Sequence, residues 1–248
     1  MNPAEFNHLA AAEQDMWWFR GMRRILDELL DPLARDRSFT RVLEAGCGTG
    51  ANARHLAARH HWPLTALDLA PEGLAHARAL GLPRLLQADI TALPFPNRAF
   101  DLLLSLDVLP HFAPGREARP LAEFARVLEP GGWLVLRAAA LCILSSRHSQ
   151  FVHERQRFTR PGLCRAVEAA GFRIHRATYA NSLLLPVALA KFRLWEPLTR
   201  ARPSSGVVLP APWLNRALEL PLRAEAALIR RGLNFPLGQS VVILAQRR

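Results

Sequence analysis

Three glycines, Gly46, Gly48 and Gly50, alternate directly after a short apolar run, Arg41-Val-Leu-Glu-Ala, and just before apolar residues at helical spacing. Glycines at a strand-to-helix turn permit φ > 0 and let the backbone pass close to a bound molecule. The spacing is G-x-G-x-G, not the G-x-G-x-x-G that seats a pyrophosphate on a helix N-terminus. Glu44 stands two residues ahead of the first glycine. A carboxylate there is a poor neighbour for pyrophosphate and a good one for an ammonium group. Asp68, at the end of the next apolar run, is placed to accept from two ribose hydroxyls. Asp89, at the end of the one after, is placed to accept from an adenine amino group. The implied ligand carries an amine, a ribose diol and an adenine, with no phosphate requirement.

The elements that must position these residues alternate along the chain. A helix is expected from Met16 to Leu30, stopped by Pro32. Strands are expected at 41–45, Leu64–Asp68, Arg84–Ala88, Phe100–Leu106 and Trp133–Ala138. Helices lie between them, at Ala53 onward, Pro71–Leu80 and Ala118–Leu128, the last closed by Pro130-Gly131-Gly132. A helix over Thr159–Ala170, a strand over Phe172–Tyr179 and a final strand over Ser240–Ala245 complete the pattern. Such alternation predicts an α/β, Rossmann-like fold: a seven-stranded, mostly parallel sheet with helices on both faces. Right-handed crossovers put the strand carboxyl ends on one edge, where ligands of open α/β sheets bind. Glu44 to Gly50, Asp68, Asp89 and Asp107 all fall there.

The 248 residues are read as one domain. Residues 1–40 form an N-terminal helical cap, and 180–238 a helical lid inserted before the final strand. Within the lid, Leu183, Leu184, Val187, Lys191, Leu194, Trp195 and Leu198 share a helical face. A second amphipathic stretch, 214–231, is expected to break at Pro221. The apolar faces of both are expected to pack on the sheet.

In this order the motifs resemble the class I S-adenosylmethionine (SAM)-dependent methyltransferases, in particular the methyltransferase type 11 group related to the ubiquinone/menaquinone C-methyltransferases. The matching text is Val42-Leu-Glu-Ala-Gly-Cys-Gly-Thr-Gly50, Ala66-Leu-Asp-Leu69, Gln87-Ala-Asp-Ile90, Leu93-Pro-Phe-Pro-Asn-Arg-Ala-Phe-Asp101, Leu106-Asp-Val108 with His111, and Arg126-Val-Leu-Glu-Pro-Gly-Gly132. The resemblance implies SAM as cofactor and S-adenosyl-L-homocysteine as product. It implies that the loop Ala45, Gly46, Cys47, Gly48 and Gly50 wraps the methionine and sulfonium region, with Glu44 near the amino-acid end. Asp68 would take the ribose with Leu69 beside it, Asp89 and Ile90 the adenine, and Leu106, Asp107 and His111 the region of the methyl group. Trp18 could close over the cofactor, and Arg20 could meet its carboxylate. Asp101 reads as a strand-start residue capping a turn.

A sulfonium methyl is already activated, so in-line displacement needs alignment and exclusion of water more than acid–base help. Where the nucleophile must lose a proton, His111 is the first candidate base, with His153 and Tyr179 behind it. Trp17, Arg155, Arg157, Tyr179 and Asn181 are the candidate acceptor contacts, the arginines suiting a phosphate, a carboxylate or a glycan acid. His148 and His153 lack a plausible set of further ligands, so no metal is expected.

Composition bounds the rest. Half of the residues are hydrophobic, too many for a disordered chain, and three cysteines cannot make a disulfide framework. No membrane span and no secretion signal is read, so a cytoplasmic location is expected. Residues 1–140 carry 15 Arg against 16 acids, while 141–248 carry 16 Arg and one Lys against 5 Glu. The expected reaction is methyl transfer to a small or medium organic molecule through an O or N nucleophile, on an acceptor that is anionic or lipid-linked, such as a secondary metabolite. The alternatives are an RNA methyltransferase using the basic second half, and a non-catalytic SAM-binding protein that meets a membrane or a partner. Against the first, no Asn-Pro-Pro-Tyr-like or Pro-Cys motif is present. Small-molecule substrate, no nucleic acid, peripheral membrane contact and a monomer or homodimer are the partner expectations.

Overall fold

The computed structural model describes residues 2–199 and 202–248. Seven strands form one sheet: β1 (Val42–Ala45), β2 (Leu64–Asp68), β3 (Leu85–Gln87), β4 (Phe100–Leu106), β5 (Leu128–Ala139), β6 (Phe172–Ala180) and β7 (Ser240–Arg247). Their order is β3-β2-β1-β4-β5-β7-β6. All neighbours run parallel except β7, which is antiparallel to both β5 and β6. The expected seven-stranded, mostly parallel α/β sheet is therefore what forms.

The strands of such a sheet are covered on both faces and read as nearly continuous apolar runs. Every residue of β1 and β4 is buried. Side chains of Leu134, Leu136 and Ala138 join Leu121, Phe124 and Val127 of α5 (Ala118–Val127) and Leu163 and Val167 of α7 (Arg160–Ala169). The alternate residue Val135 joins Leu26 and Leu30 of α2 (Trp17–Asp36), Leu56 of α3 (Ala51–His60) and Leu74 of α4 (Pro71–Ala79).

Four expectations are corrected. Pro32 does not stop α2, which runs on to Asp36, and Pro221 does not break α10 (Pro212–Arg230). Each proline removes one backbone donor, but buried neighbours hold the helix: Leu29 and Leu30 before Pro32, Leu222 and Ala226 after Pro221. β5 starts at Leu128, not Trp133: Leu128 pairs with Phe100 and Trp133 with Leu102, and the Pro-Gly-Gly tract forms an irregularity inside the strand. The lid stretch from Leu183 is α8 (Leu185–Leu189), a π-helical turn (Ala190–Trp195) and α9 (Glu196–Thr199), and it does not bury its apolar face: Val187, Leu194, Trp195 and Leu198 are exposed. α10 does bury its apolar face, through Leu222, Ala226 and Ile229, but chiefly against α2 rather than on the sheet as expected. A side chain built on Gly21 of α2 would lie 2.2 Å from Leu222 Cδ1 of α10, so the two helices meet closely.

Within the expected 1–40 cap lies a helix whose own bounds the sequence did not mark, α1 (Ala4–Ala12), packed against α4 and the glycine loop. Its Phe6 is buried against the glycine loop and the start of α4: a Cβ on Gly48 would meet Phe6 Cε1 at 3.9 Å and one on Gly73 would meet it at 2.8 Å. Asn7 Oδ1 reaches His76 Nε2 of α4 at 3.0 Å, and the ring of His8 lies 6.3 Å from that of Phe151 on the short helix α6 (Arg147–Phe151).

Candidate functional site

The glycine loop leaves β1 on left-handed backbone at Gly46, Gly48 and Gly50. At Gly46 the requirement is strict: φ is +85° and a Cβ would meet Val108 Cγ2 at 2.3 Å. The loop is tied to the second strand. Gly46 and Cys47 donate their N–H to the Leu67 carbonyl, both at 2.8 Å, and Gly48 N–H donates to Asp68 Oδ2 at 2.7 Å. Asp68 Oδ1 accepts from Ala70 N–H at 2.9 Å, so the carboxylate is fixed by backbone donors on both sides while each oxygen keeps acceptor capacity. Leu69 beside it is 63% exposed, an apolar side chain standing open next to a fixed carboxylate. Asp89 is exposed and accepts from Thr91 N–H at 2.8 Å, and Ile90 is buried.

Glu44 is buried at the base of the loop and its Oε2 has no hydrogen-bond partner. Burial pushes its carboxyl up to about 8; the Arg137 guanidinium opposes the rise, and the charges of Asp68 and Glu13 add to it. Arg137, itself buried, projects from β5 beside it. Its Nε donates to Asp107 Oδ2 at 2.8 Å and its guanidinium stacks 5.3 Å over the Trp18 ring. Ala45 is buried, and its carbonyl accepts from Ser105 Oγ at 3.0 Å. Leu106 is buried and Asp107 sits at φ +61°. Cys47 is buried and its thiol is pushed far up by burial, which makes it inert as a nucleophile.

His111 ends a 3₁₀ turn, Leu109–His111, after β4. Burial pushes its imidazole down to about 4, and its Nδ1 has no hydrogen-bond partner. Next to it opens a cavity of about 600 Å³, lined by His111, Phe112, Thr91, Arg116, Arg119 and Arg155 among others. Arg119 Nε donates to the Thr91 carbonyl at 3.2 Å.

The structure gathers Glu44, Ala45, Gly46, Cys47, Gly48, Gly50, Asp68, Leu69, Asp89, Ile90, Leu106, Asp107, His111 and Trp18 on one sheet edge. Arg155 lines the cavity there. Other expected contacts are engaged elsewhere. Arg20 is turned to α10, where it pairs with Glu219 at 3.2 Å. Trp17 N–H donates to Asn215 Oδ1 of the same helix at 2.8 Å. Arg157 is tied to the Ala140 carbonyl, Ser149 Oγ and Glu154. The Tyr179 hydroxyl accepts from Arg160 N–H at 2.9 Å, so it fastens the start of α7. His153 is exposed at φ +58° in the turn after α6. Asn181 is fully buried at the end of β6 with both amide atoms unpartnered, close to the Glu225 carboxyl, which accepts from Ser182 N–H at 2.7 Å.

Comparison with known proteins decides which family this edge belongs to. Residues 43–136 match the methyltransferase domain family. This part of the chain is similar to methyltransferase domains. The chain is 40% identical over 114 residues to a malonyl-[acyl-carrier protein] O-methyltransferase of Erwinia billingiae, covering 45% of this chain and 44% of that protein. It is 38% identical over 136 residues to the demethylmenaquinone methyltransferase of Thermus thermophilus, covering 52% and 57%. The match thus spans about half the length of these curated relatives. Among solved structures, a SAM-dependent methyltransferase from Archaeoglobus fulgidus superposes with a TM-score of 0.58 at 17% identity, over 92% of this chain and 96% of that one. The Streptomyces coelicolor A3(2) geranyl diphosphate C-methyltransferase superposes at 0.53 and 17%, over 84% and 72%.

The similarity implies SAM as cofactor, and the residues present fit it. Glu44 Oε2 is an orphaned buried oxygen, and a Cβ on Gly48 would meet nothing nearer than Phe6 at 3.9 Å. Four residues at the edge lie outside the expected set: Arg137, Glu13, Arg116 and Arg119. Arg137 carried a signal, a charge inside the apolar run Trp133–Ala138. Glu13 holds α1 on the loop by accepting from Thr49 Oγ1 at 2.6 Å. Arg116 and Arg119 stand on one side of the α5 start and meet Arg155 only in three dimensions.

Proposed function

We propose that this chain transfers the methyl group of SAM to a small or medium organic acceptor that carries an anionic group, through an O or N nucleophile. The observation that carries the reading is one sheet edge with a zwitterion-matched pair at one end and a cationic cavity at the other. Glu44 and Arg137 are the pair, suited to an ammonium and a carboxylate in turn. Asp68, held by two backbone donors, is the ribose acceptor, and Leu69 offers the apolar shelf beside it. Arg137 takes the carboxylate role expected of Arg20.

The bound cofactor supplies a methyl group already activated by its sulfonium. The chain's residues then have to align the acceptor and keep water out. The three arginines of the cavity suit a phosphate or carboxylate: three guanidinium forks can bind several oxygens at once. His111 is neutral at pH 7, and its buried, unpartnered Nδ1 is left to meet a group that enters the cavity beside it. The relatives' names, a malonyl-carrier and a menaquinone methyltransferase, support an anionic or lipid-linked acceptor.

Radiolabelled methyl donor with a panel of phosphorylated and carboxylated acceptors tests the reading. On an accepted substrate, Arg119→Ala and Arg155→Ala should each raise KM by roughly 10- to 100-fold, the loss of a charge-assisted hydrogen bond, with kcat little changed. Unchanged KM in both would remove the cavity from the acceptor site, and no labelled product from any acceptor would overturn the activity.

A further inference from the structure

The segments 183–199 and 202–220 leave apolar surface uncovered. Of the fourteen large apolar residues exposed among the described residues, nine lie here, among them Val187, Leu194, Trp195, Leu198, Val208 and Trp213. Trp195 is 65% exposed, Leu198 78% and Trp213 72%. Single exposed apolar residues are ordinary, but a concentration in one segment marks an interaction surface.

The charges around it have one sign. Among the described residues from 183 to 220 stand Lys191, Arg193, Arg202 and Arg216, against two acids, Glu196 and Glu219, the latter buried and paired with Arg20 and Arg223. Glu196 is turned inward, its Oε2 accepting from Arg147 N–H of α6 at 3.0 Å and its carbonyl from the Arg147 guanidinium. The segment is fastened to the molecule on its other side. Leu184 and Ala188 are buried, Arg193 donates to the Cys142 and Ile143 carbonyls, and Gly206 lies against His148 of α6. The segment is thus anchored on one side, while its exposed apolar side chains and the exposed Lys191, Arg202 and Arg216 are left to solvent.

A second copy of the chain fits this face poorly. A two-fold contact would set its cations against the same cations of the partner copy. An anionic bilayer matches both features at once: tryptophans settle at the headgroup level and basic residues draw to acidic lipids. No helix among the described residues is long and apolar enough to cross a membrane, so the contact is with the surface. We propose that 183–199 and 202–218 form a docking face that lies in the headgroup layer of an anionic lipid bilayer, with Trp195, Leu198 and Trp213 in the interface. Docking would carry the sheet edge to a lipid-linked acceptor. That consequence rests on the proposed methyl transfer, whereas the docking itself does not.

Vesicle flotation of the full chain reads docking without any turnover. The protein should float with vesicles of phosphatidylcholine mixed with phosphatidylglycerol, much less with phosphatidylcholine alone, and less as salt rises. The double variant Trp195→Asp/Trp213→Asp should lose on the order of tenfold or more in partitioning, with its melting temperature as the control for folding. Lys191→Glu/Arg216→Glu should weaken binding to the anionic vesicles alone. Three results would each overturn the proposal: wild-type protein that stays down with anionic vesicles, a tryptophan double variant that floats as wild type does, or a stable dimer in sedimentation that the same double variant dissolves.

Discussion

Glu44 is a buried acid with an oxygen to spare, and its chemistry sets how the site answers to pH. With its carboxyl raised to about 8, the cofactor-free protein holds Glu44 protonated at pH 7. The folded chain then binds more protons than the unfolded one between about 4.5 and 8. Its contribution to stability is full at the acid end of that window and is lost as pH climbs through about 8. An ammonium arriving beside it favours the carboxylate, so SAM binding should release a proton. Affinity should rise with pH up to about 8, by at most about tenfold per unit, and level off above. Calorimetry at pH 7 in buffers of different ionisation heat measures this directly: the heat should follow the buffer, and Glu44→Gln should abolish that dependence. Heat independent of the buffer in the wild type would sink the assignment. The position of Glu44 at the base of the loop was legible from its place before the glycines. That of Arg137 was visible only as an oddity, because its meaning depends on β1 and β5 lying on either side of β4.

The elements repeat this division. Strands β1, β2 and β4 sat where their apolar runs put them, because a strand covered on both faces has little else it can be. The prolines misled, since local propensity was outweighed by packing. α2 continues through Pro32 and α10 through Pro221 because the two helices bury each other at Gly21 and Leu222, with Arg20 and Glu219 paired alongside. That contact makes α10 a structural partner of α2 rather than a detachable part of the lid. Gly21→Ala should therefore destabilise the fold by about 1–3 kcal/mol, the cost of overpacking a close helix contact, although alanine is the better helix former. Chemical denaturation measures it, and a stabilised variant would contradict the packing. α1 gave no signal because Ala4–Ala12 has no clean apolar stripe. Its position is fixed by Phe6 on the glycine loop and by Glu13 on Thr49.

Across the described residues, several charges of the basic half are engaged within the fold. In the basic half, Arg157, Arg176 and Arg247 donate to backbone carbonyls, and Arg223 pairs with Glu219. Of the others, Arg155 lines the cavity beside His111, Arg248 lies with Arg173 and Arg247 around a second pocket, and Lys191, Arg202 and Arg216 stand among the exposed apolar residues of 183–218. The α/β architecture and the cofactor edge were legible because motif order along the chain maps directly onto strand ends along one sheet edge. The proposed acceptor cavity was not, because Arg116, Arg119 and Arg155 come from segments that only the fold brings together. The account rests on that edge holding a sulfonium nucleoside through Asp68. The most direct test is calorimetric titration of SAM into wild-type protein and Asp68→Ala. Saturable binding by the wild type, weakened by about 1–3 kcal/mol in the variant through loss of charge-assisted hydrogen bonds, is the predicted result. Equal affinity in the two proteins would contradict the ribose assignment, and no heat of binding in the wild type would contradict the site as a whole.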